Sequence, residues 1–62
     1  MKLDREQIEQ YIEDCEGAMT ARNSPFNDWE REFIESVAER WETSHHLTEG
    51  QQDKLEQIWD KL

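Results

Sequence analysis

The sequence contains one run of large apolar residues that recurs every three or four positions, a spacing that places side chains on one side of an α-helix. A strand would instead need strict alternation, and no run rich in Val, Ile or Thr alternates with period two. The pattern therefore predicts an all-α protein. The run consists of Phe26, Trp29, Phe33, Val37 and Trp41, with Ile34 and Ala38 beside them.

The first predicted helix spans residues 5–21. Asp4 can accept hydrogen bonds from the amides of the first turn, and Gln7 three positions later completes the pattern of a capping box. Gly17 disfavours the helix by about 1 kcal/mol relative to Ala, so an early end or a bend is the alternative. The apolar side of this helix consists of Ile8, Tyr11, Ile12, Cys15, Ala18 and Met19.

The second predicted helix spans residues 28–42 and has two candidate starts. Asn27 caps the helix if Glu30 is its capping-box partner. Ser24, followed by Pro25 at the first helical position, is the alternative. We prefer Asn27 because this start explains why the carboxylate of Glu30 falls among apolar residues: it turns back towards the cap.

The third predicted helix spans residues 49–62, with Thr48 and Gln51 as its capping box. The joint between the second and third helices has only about five residues, so these helices should form an antiparallel hairpin. We expect the first helix to pack across this hairpin or against a second copy of the chain. The sequence thus predicts a single small helical domain over residues 1–62.

Length and charge limit the possible functions. The chain has 62 residues and a formal net charge of −9. A domain of this length buries only about 60% of the surface that its unfolded chain exposes, so we expect no enclosed catalytic pocket, no enzymatic activity and no cofactor. A surface this acidic repels phosphate, so we expect no direct binding of nucleic acid. It is steered towards basic surfaces, which favours a protein partner.

The sequence also indicates where the protein acts. No apolar run approaches the roughly 20 residues that a membrane-spanning helix needs. No signal peptide is visible at the start of the chain. Cys15 is the single cysteine, which excludes an intramolecular disulfide. These features predict a cytoplasmic protein without a membrane partner.

A metal site is not expected, although His45, His46 and Cys15 are residues of the ligating types. Adjacent histidines rarely point the same way, and the spacing matches no zinc pattern. A polar loop next to the negative end of the second helix explains the histidines more simply. Cys15 lies on the apolar side of the first helix, where we expect it to act as a small hydrophobe.

The acidic residues of the first two helices are spaced by three and four positions, so each helix carries a stripe of carboxylates opposite its apolar side. One interpretation is that an amphipathic helix needs a solvated side. The other is that two acidic ridges imitate the phosphate rows of a duplex and occupy a basic groove on a nucleic-acid-binding protein. The stripes comprise Glu6, Glu9, Glu13 and Glu16 on the first helix, and Asp28, Glu32, Glu35, Glu39 and Glu42 on the second.

The aromatic content supports two interpretations as well. Large rings fill the core of most small domains, but Trp and Tyr are also common anchors of protein interfaces. A small domain also gains stability by association, so a helical homodimer is the alternative to a different partner protein. The residues that form either core or interface are Tyr11, Met19, Trp29, Phe33, Trp41 and Trp59.

Three motifs recur at helical spacing in residues 26–61: Trp29-Glu30-x-x-Phe33, Leu47-Thr48-x-x-Gln51 and Leu55-x-x-Ile58-Trp59-x-Lys61. With these motifs, residues 26–61 resemble a helical hairpin found in small early proteins of lambda-like bacteriophages, many of which have no assigned biochemical activity. The resemblance implies a phage-encoded protein that modulates host physiology or phage development by binding a host protein. Residues 1–25 lie outside the resemblance, and no catalytic residue is carried over.

Overall fold

The computed structural model describes residues 3–21 and 24–62, which contain helices α1 (Arg5–Met19), α2 (Asp28–Ser44) and α3 (Glu49–Trp59). No strand occurs in the described ranges, and the prediction of an all-α fold with three helices is confirmed. α1 packs against both of the other helices within the same chain. The alternative in which the first helix needs a second copy of the chain is therefore not required by the fold.

Each helix begins where the capping pattern predicted. At α2 the Asn27 side chain accepts a hydrogen bond from the Glu30 amide at 2.8 Å, and Glu30 Oε1 accepts one from the Asn27 amide at 3.0 Å. This pair confirms Asn27, rather than Ser24, as the start of the helix. The corresponding pairs are Asp4 with Gln7 at α1 and Thr48 with Gln51 at α3.

The sequence predicted that α1 and α3 would each end a few residues later than they do. α1 stops at Met19 instead of residue 21, and the hydroxyl of Thr20 donates a hydrogen bond to the Gly17 carbonyl at 2.9 Å. α3 stops at Trp59 instead of residue 62, because the last amides bond three residues back rather than four. Leu62 N–H donates to the Trp59 carbonyl at 3.0 Å in that closing turn.

α2 is longer than predicted and reaches Ser44 instead of residue 42. It stops at His45, whose φ of 53° lies in the left-handed region, and whose amide donates to the Trp41 carbonyl at 2.9 Å. A left-handed residue at this position is a common way to end a helix, although glycine usually occupies it. The ring of His45 meets the ring of Trp41 edge-on at 5.5 Å.

The relative positions of α2 and α3 are those expected of an antiparallel hairpin. Lys61, just beyond the end of α3, forms an ion pair with Glu30 in the first turn of α2. At the opposite end, Trp41 in the last turn of α2 and Leu47 in the joint between the two helices are both buried. The two helices therefore meet both at the joint and at the far end of the hairpin.

One hydrophobic core lies between the three helices. α1 contributes Ile8, Ile12 and Cys15, and the ring of Tyr11 stacks on Trp59 of α3 with centroids 4.2 Å apart. The other buried apolar residues come from α2, α3 and the segments that precede the helices. They are Leu3, Phe26, Ile34, Val37, Trp41, Leu47, Leu55 and Ile58.

Gln52 is a buried polar residue that the sequence pattern did not predict, with a relative exposure of 1%. Its Oε1 accepts a hydrogen bond from the Leu3 amide at 2.9 Å, and its Nε2 donates to the Leu47 carbonyl at 3.0 Å. Both backbone groups lie outside helices and have no ladder or helix partner of their own. The side chain therefore joins the segment before α1 to the joint before α3.

We expect Gln52→Leu to lower the free energy of unfolding by about 2 kcal/mol or more, because two backbone groups would be left unpaired in the interior. Urea unfolding followed by circular dichroism measures the change. Gln57→Leu is the matched control, since Gln57 is exposed on the same helix, and it should change stability by no more than about 0.5 kcal/mol. Equal effects of the two substitutions would contradict the role of Gln52.

Candidate functional site

The structure exposes one of the large rings that the sequence left between core and interface. Trp29 is 55% exposed. Its ring stacks on Phe33 with centroids 5.5 Å apart and planes 14° from parallel. Lys54 of α3 places its Nζ 4.9 Å from the Trp29 ring centroid, within the range of a cation–π contact. We call Trp29, Phe33 and Lys54 the aromatic patch.

The expectation that Trp29 lies within the apolar side of α2 was wrong, because Glu30 is buried in its place at the start of the helix, whereas Val37 and Trp41 further along are buried as the pattern predicted. Glu30, Ile34, Val37 and Trp41 are the buried residues of α2. Position 30 therefore takes the interior place at the start of the helix, and Trp29 is turned to the surface. The sequence pattern alone favoured the larger and more apolar residue at this place.

Trp59 and Trp41 contrast with Trp29, because both pack within the core. Trp59 is partly buried, and its Nε1 donates to the Asp14 carboxylate at 2.9 Å. Trp41 is only 6% exposed, and its Nε1 has no hydrogen-bond partner among the described residues. A buried donor left unpaired costs about 1–3 kcal/mol. The two remaining candidates, Tyr11 and Met19, are partly buried against the same core.

The acidic stripe of α2 lies on the surface. None of its members forms an ion pair or a side-chain hydrogen bond with another described residue. Glu32 lies beside the aromatic patch, where it lines a shallow groove of about 210 Å³ together with Trp29, Phe33 and Ser36. The stripe consists of Asp28, Glu32, Glu35, Glu39 and Glu42, all of them exposed.

The carboxylates of α1 and α2 meet at a second groove, which we call the α1–α2 groove and which has a volume of about 190 Å³. Its floor is apolar, and carboxylates from both helices surround it. None of the described lysine and arginine residues lines it. The floor consists of Ile12, Ala38 and Trp41, and the walls consist of Glu9, Glu13, Glu16 and Glu42.

Among the described residues, Glu30 is the one acidic residue that is buried, with 7% of its side chain exposed. The Lys61 ammonium bonds to its carboxylate at 2.5 Å, and the Asn27 amide donates to the same group. These two hydrogen bonds lower the pKa of Glu30 below its ordinary value near 4.5, and the more distant charge of Lys54 acts in the same direction. Burial acts in the opposite direction but has a smaller effect.

Because the pKa of Glu30 is lower in the folded than in the unfolded chain, its carboxylate stabilises the fold above the unfolded pKa. That stabilisation is lost as the pH falls through the folded-state pKa. We expect Glu30→Gln to flatten the decrease in the free energy of unfolding between about pH 5 and pH 3. Urea unfolding at a series of pH values provides the measurement.

Two further variants test the cause of this pH dependence. Lys61→Met removes the cation that lowers the pKa of Glu30, and it should flatten the same part of the curve. Glu35→Gln changes an exposed carboxylate without an ion pair to a described residue and should leave the slope intact. A constant difference in stability between the wild-type protein and Glu30→Gln at every pH would contradict the assignment.

Cys15 is fully buried, and burial raises the pKa of its thiol to about 11, with the charges of Asp14 and Glu16 adding to the rise. A neutral, buried thiol is a poor nucleophile and a poor metal ligand. Within residues 3–21 and 24–62, no group of three or more His, Cys, Asp or Glu residues is arranged to hold a metal ion. None of the helices in the described part of the chain has the length and apolar character needed to cross a membrane.

Comparison with protein families, with curated proteins and with solved structures gave no match for this chain.

Proposed function

We propose that this protein is a non-enzymatic interaction module that binds another protein through the aromatic patch. The observation that carries the proposal is the exposure of Trp29, which lies on the surface while the same helix buries a glutamate. Trp is enriched among the residues that contribute most to binding energy at interfaces. Its stacking on Phe33 fixes the ring, which reduces the loss of side-chain entropy on binding.

The charge around the patch favours a partner with a basic surface. Glu32 lines the groove next to Trp29, and the acidic stripe continues along the exposed side of α2. Carboxylates at the rim of an interface increase the association rate with a basic partner more than they increase the affinity. The proposed interface thus combines an apolar anchor with electrostatic steering.

The resemblance of residues 26–61 to early proteins of lambda-like phages supports a proposal about the class of partner, although not about its identity. We propose on this ground that the chain is phage-encoded and acts in the cytoplasm of the host cell. The partner is then a host protein, and its capture alters host physiology or the development of the phage. The residues of the patch, Trp29 and Phe33, are among the positions on which the resemblance rests.

Capture of partners from a bacterial lysate, followed by calorimetry with the purified partner, tests the interaction. Trp29→Ala should weaken binding by about 30-fold, because truncation of an interface anchor typically removes 2 kcal/mol or more. Leu62→Ala is the matched control: Leu62 is 54% exposed, against 55% for Trp29, but lies outside the patch. Binding that responds equally to both substitutions would contradict the proposal.

Measurements on the purified chain without a partner test whether it binds a second copy of itself. Sedimentation of the wild-type protein alone measures its oligomeric state. If the chain is a dimer that Trp29→Ala dissociates, the aromatic patch joins two copies, and a host partner must bind elsewhere. The net charge of −9 opposes self-association through the acidic surface.

An acidic nucleic-acid mimic is the second candidate, and the α1–α2 groove favours it. Glu9, Glu13 and Glu16 of α1 line this groove together with Glu42, one member of the acidic stripe of α2, so that the carboxylate rows of the two helices approach each other there. Such rows are able to occupy a basic groove that normally receives the two strands of a duplex. In this case binding depends on charge and salt more than on Trp29.

Charge reversal separates the two candidates. We expect the triple substitution of Glu35, Glu39 and Glu42 to Lys to abolish binding by a mimic, because it replaces the row on α2 by repulsive charges. An interface anchored by the aromatic patch should retain most of its affinity. Competition between this protein and duplex DNA for the captured partner provides the second measurement. Binding that is insensitive to salt, to DNA and to the reversal would eliminate mimicry.

A further inference from the structure

We propose that the outer side of α2, next to α3, receives one α-helix of the partner protein. This helix has its apolar residues at one end, basic residues along one edge and acidic residues along the other. The inference rests on the proposed function, because it starts from the aromatic patch and specifies the segment that binds there. The surface fits such a helix in length, in polarity and in charge.

Two shallow grooves adjoin along the outer side of α2. The first, of about 210 Å³, is lined by the rings of Trp29 and Phe33. The second, of about 450 Å³, reaches Ser44 at the end of α2 and is bordered by Gln51 of α3. Ser36 lines both, so they form one surface, which we call the α2–α3 groove. At 1.5 Å per residue it is roughly 22 Å long, which matches about four turns of a partner helix.

The apolar part of the α2–α3 groove lies at one end. Trp29, which is 55% exposed, and Phe33 line the first groove, whereas every residue that lines the second groove is polar or charged. An occupant therefore buries apolar side chains against the aromatic patch and presents polar side chains to the remainder. This distribution predicts an apolar anchor at one end of the partner helix.

The backbone of the groove favours a helical occupant over an extended one. The lining residues belong to α2 and α3, whose backbone N–H and C=O groups bond within their own helices. An extended segment would find few backbone partners on such a surface, whereas an α-helix pairs its own N–H and C=O groups. Docking of an amphipathic helix through its side chains is a recurrent mode of recognition.

The two edges of the α2–α3 groove carry opposite charges. Glu32 and Glu39, seven positions apart, lie on the edge away from α3, and neither forms an ion pair with a described residue. On the edge next to α3, Lys54 lies over the Trp29 ring, and Arg40 follows in line with that ring along α2. A partner helix with basic and acidic residues on opposite edges complements both.

A second copy of this chain fits the groove poorly. Among the described helices, α1 contains one basic residue, Arg5, and α3 contains one, Lys54. The two basic residues of α2, Arg31 and Arg40, are nine positions apart and so lie on opposite sides of the helix. None of these helices has a basic edge. The net charge of −9 also makes two copies repel each other, so the occupant is a different protein.

Nuclear magnetic resonance with the full-length ¹⁵N-labelled protein and three designed peptides of about 16 residues tests the proposal. The first peptide is an alanine-rich helix with two leucines at its N-terminal end, lysines on one edge and glutamates on the other. The second exchanges the lysines and glutamates. The third is the tighter-binding of these two with a central proline, which breaks the helix.

We expect one of the two helical peptides to bind about fivefold more tightly than the other, because only one arrangement places lysines beside Glu32 and Glu39. The tighter peptide should shift the indole signal of Trp29 and the amide signals of Ser36 and Arg40. The proline peptide should shift none of them.

Two double variants with the same change in net charge test the edges. Glu32→Lys with Glu39→Lys makes both edges basic and should abolish the preference between the two helical peptides. Glu35→Lys with Glu42→Lys changes two exposed carboxylates of α2 that line neither part of the groove, and the preference should persist at about threefold or more. Thermal unfolding verifies that each double variant is folded.

The proposal is overturned if the two helical peptides bind equally, if no signal of the groove moves, if the proline peptide binds as tightly as its parent, or if the two double variants change the preference equally. A dimer that Trp29→Ala dissociates would overturn it as well, since a second copy would then occupy the groove. Equal binding of both helical peptides that Trp29→Ala abolishes would remove the oriented helix but retain the aromatic patch as the interface.

Discussion

The carboxylate of Glu30 determines how α2 is turned, and the surface of the protein depends on that orientation. Its hydrogen bond with the Asn27 amide holds it at the first turn, and its ion pair with Lys61 connects it to the end of α3. With position 30 inside, the neighbouring Trp29 is outside. The burial of the polar Glu30 side chain thus places the apolar ring of Trp29 on the surface.

With α2 in this orientation, two different surfaces lie on its two flanks. One flank of α2 carries the aromatic patch next to α3, and the other flank forms a wall of the α1–α2 groove. The acidic stripe runs along the exposed side of the helix. A partner that contacts the full width of α2 would meet apolar, acidic and mixed surfaces in succession, which is the composition of many transient protein interfaces.

The sequence predicted the helices well because their starts are encoded locally. The pairs Asn27–Glu30 and Thr48–Gln51 lie three residues apart, and each forms the reciprocal hydrogen bonds that the pattern implies. The ends were harder to place. His45 ends α2 in a left-handed conformation without being a glycine, so the usual signal was missing.

The exposed Trp29 and the buried Gln52 were not predictable from hydrophobic periodicity. Both depend on contacts between residues distant in sequence: Glu30 forms an ion pair with Lys61, and the Leu3 amide donates to Gln52. The presence of a glutamate within the apolar side of α2 was the available signal for the first. For the α1–α2 groove, the sequence showed two separate acidic stripes, but only the packing of α1 on α2 brings members of both together.

The hydrogen bonds of the Gln52 side-chain amide have a consequence for how the protein unfolds. This amide joins residues separated by 49 positions in a chain of 62, so that most of the polypeptide is closed into one loop by a single side chain. The segment before α1 and the joint before α3 are held by opposite ends of the same planar group. Fraying at the start of the chain breaks the contact between the segment before α1 and α3. We therefore expect this small protein to unfold in one cooperative transition.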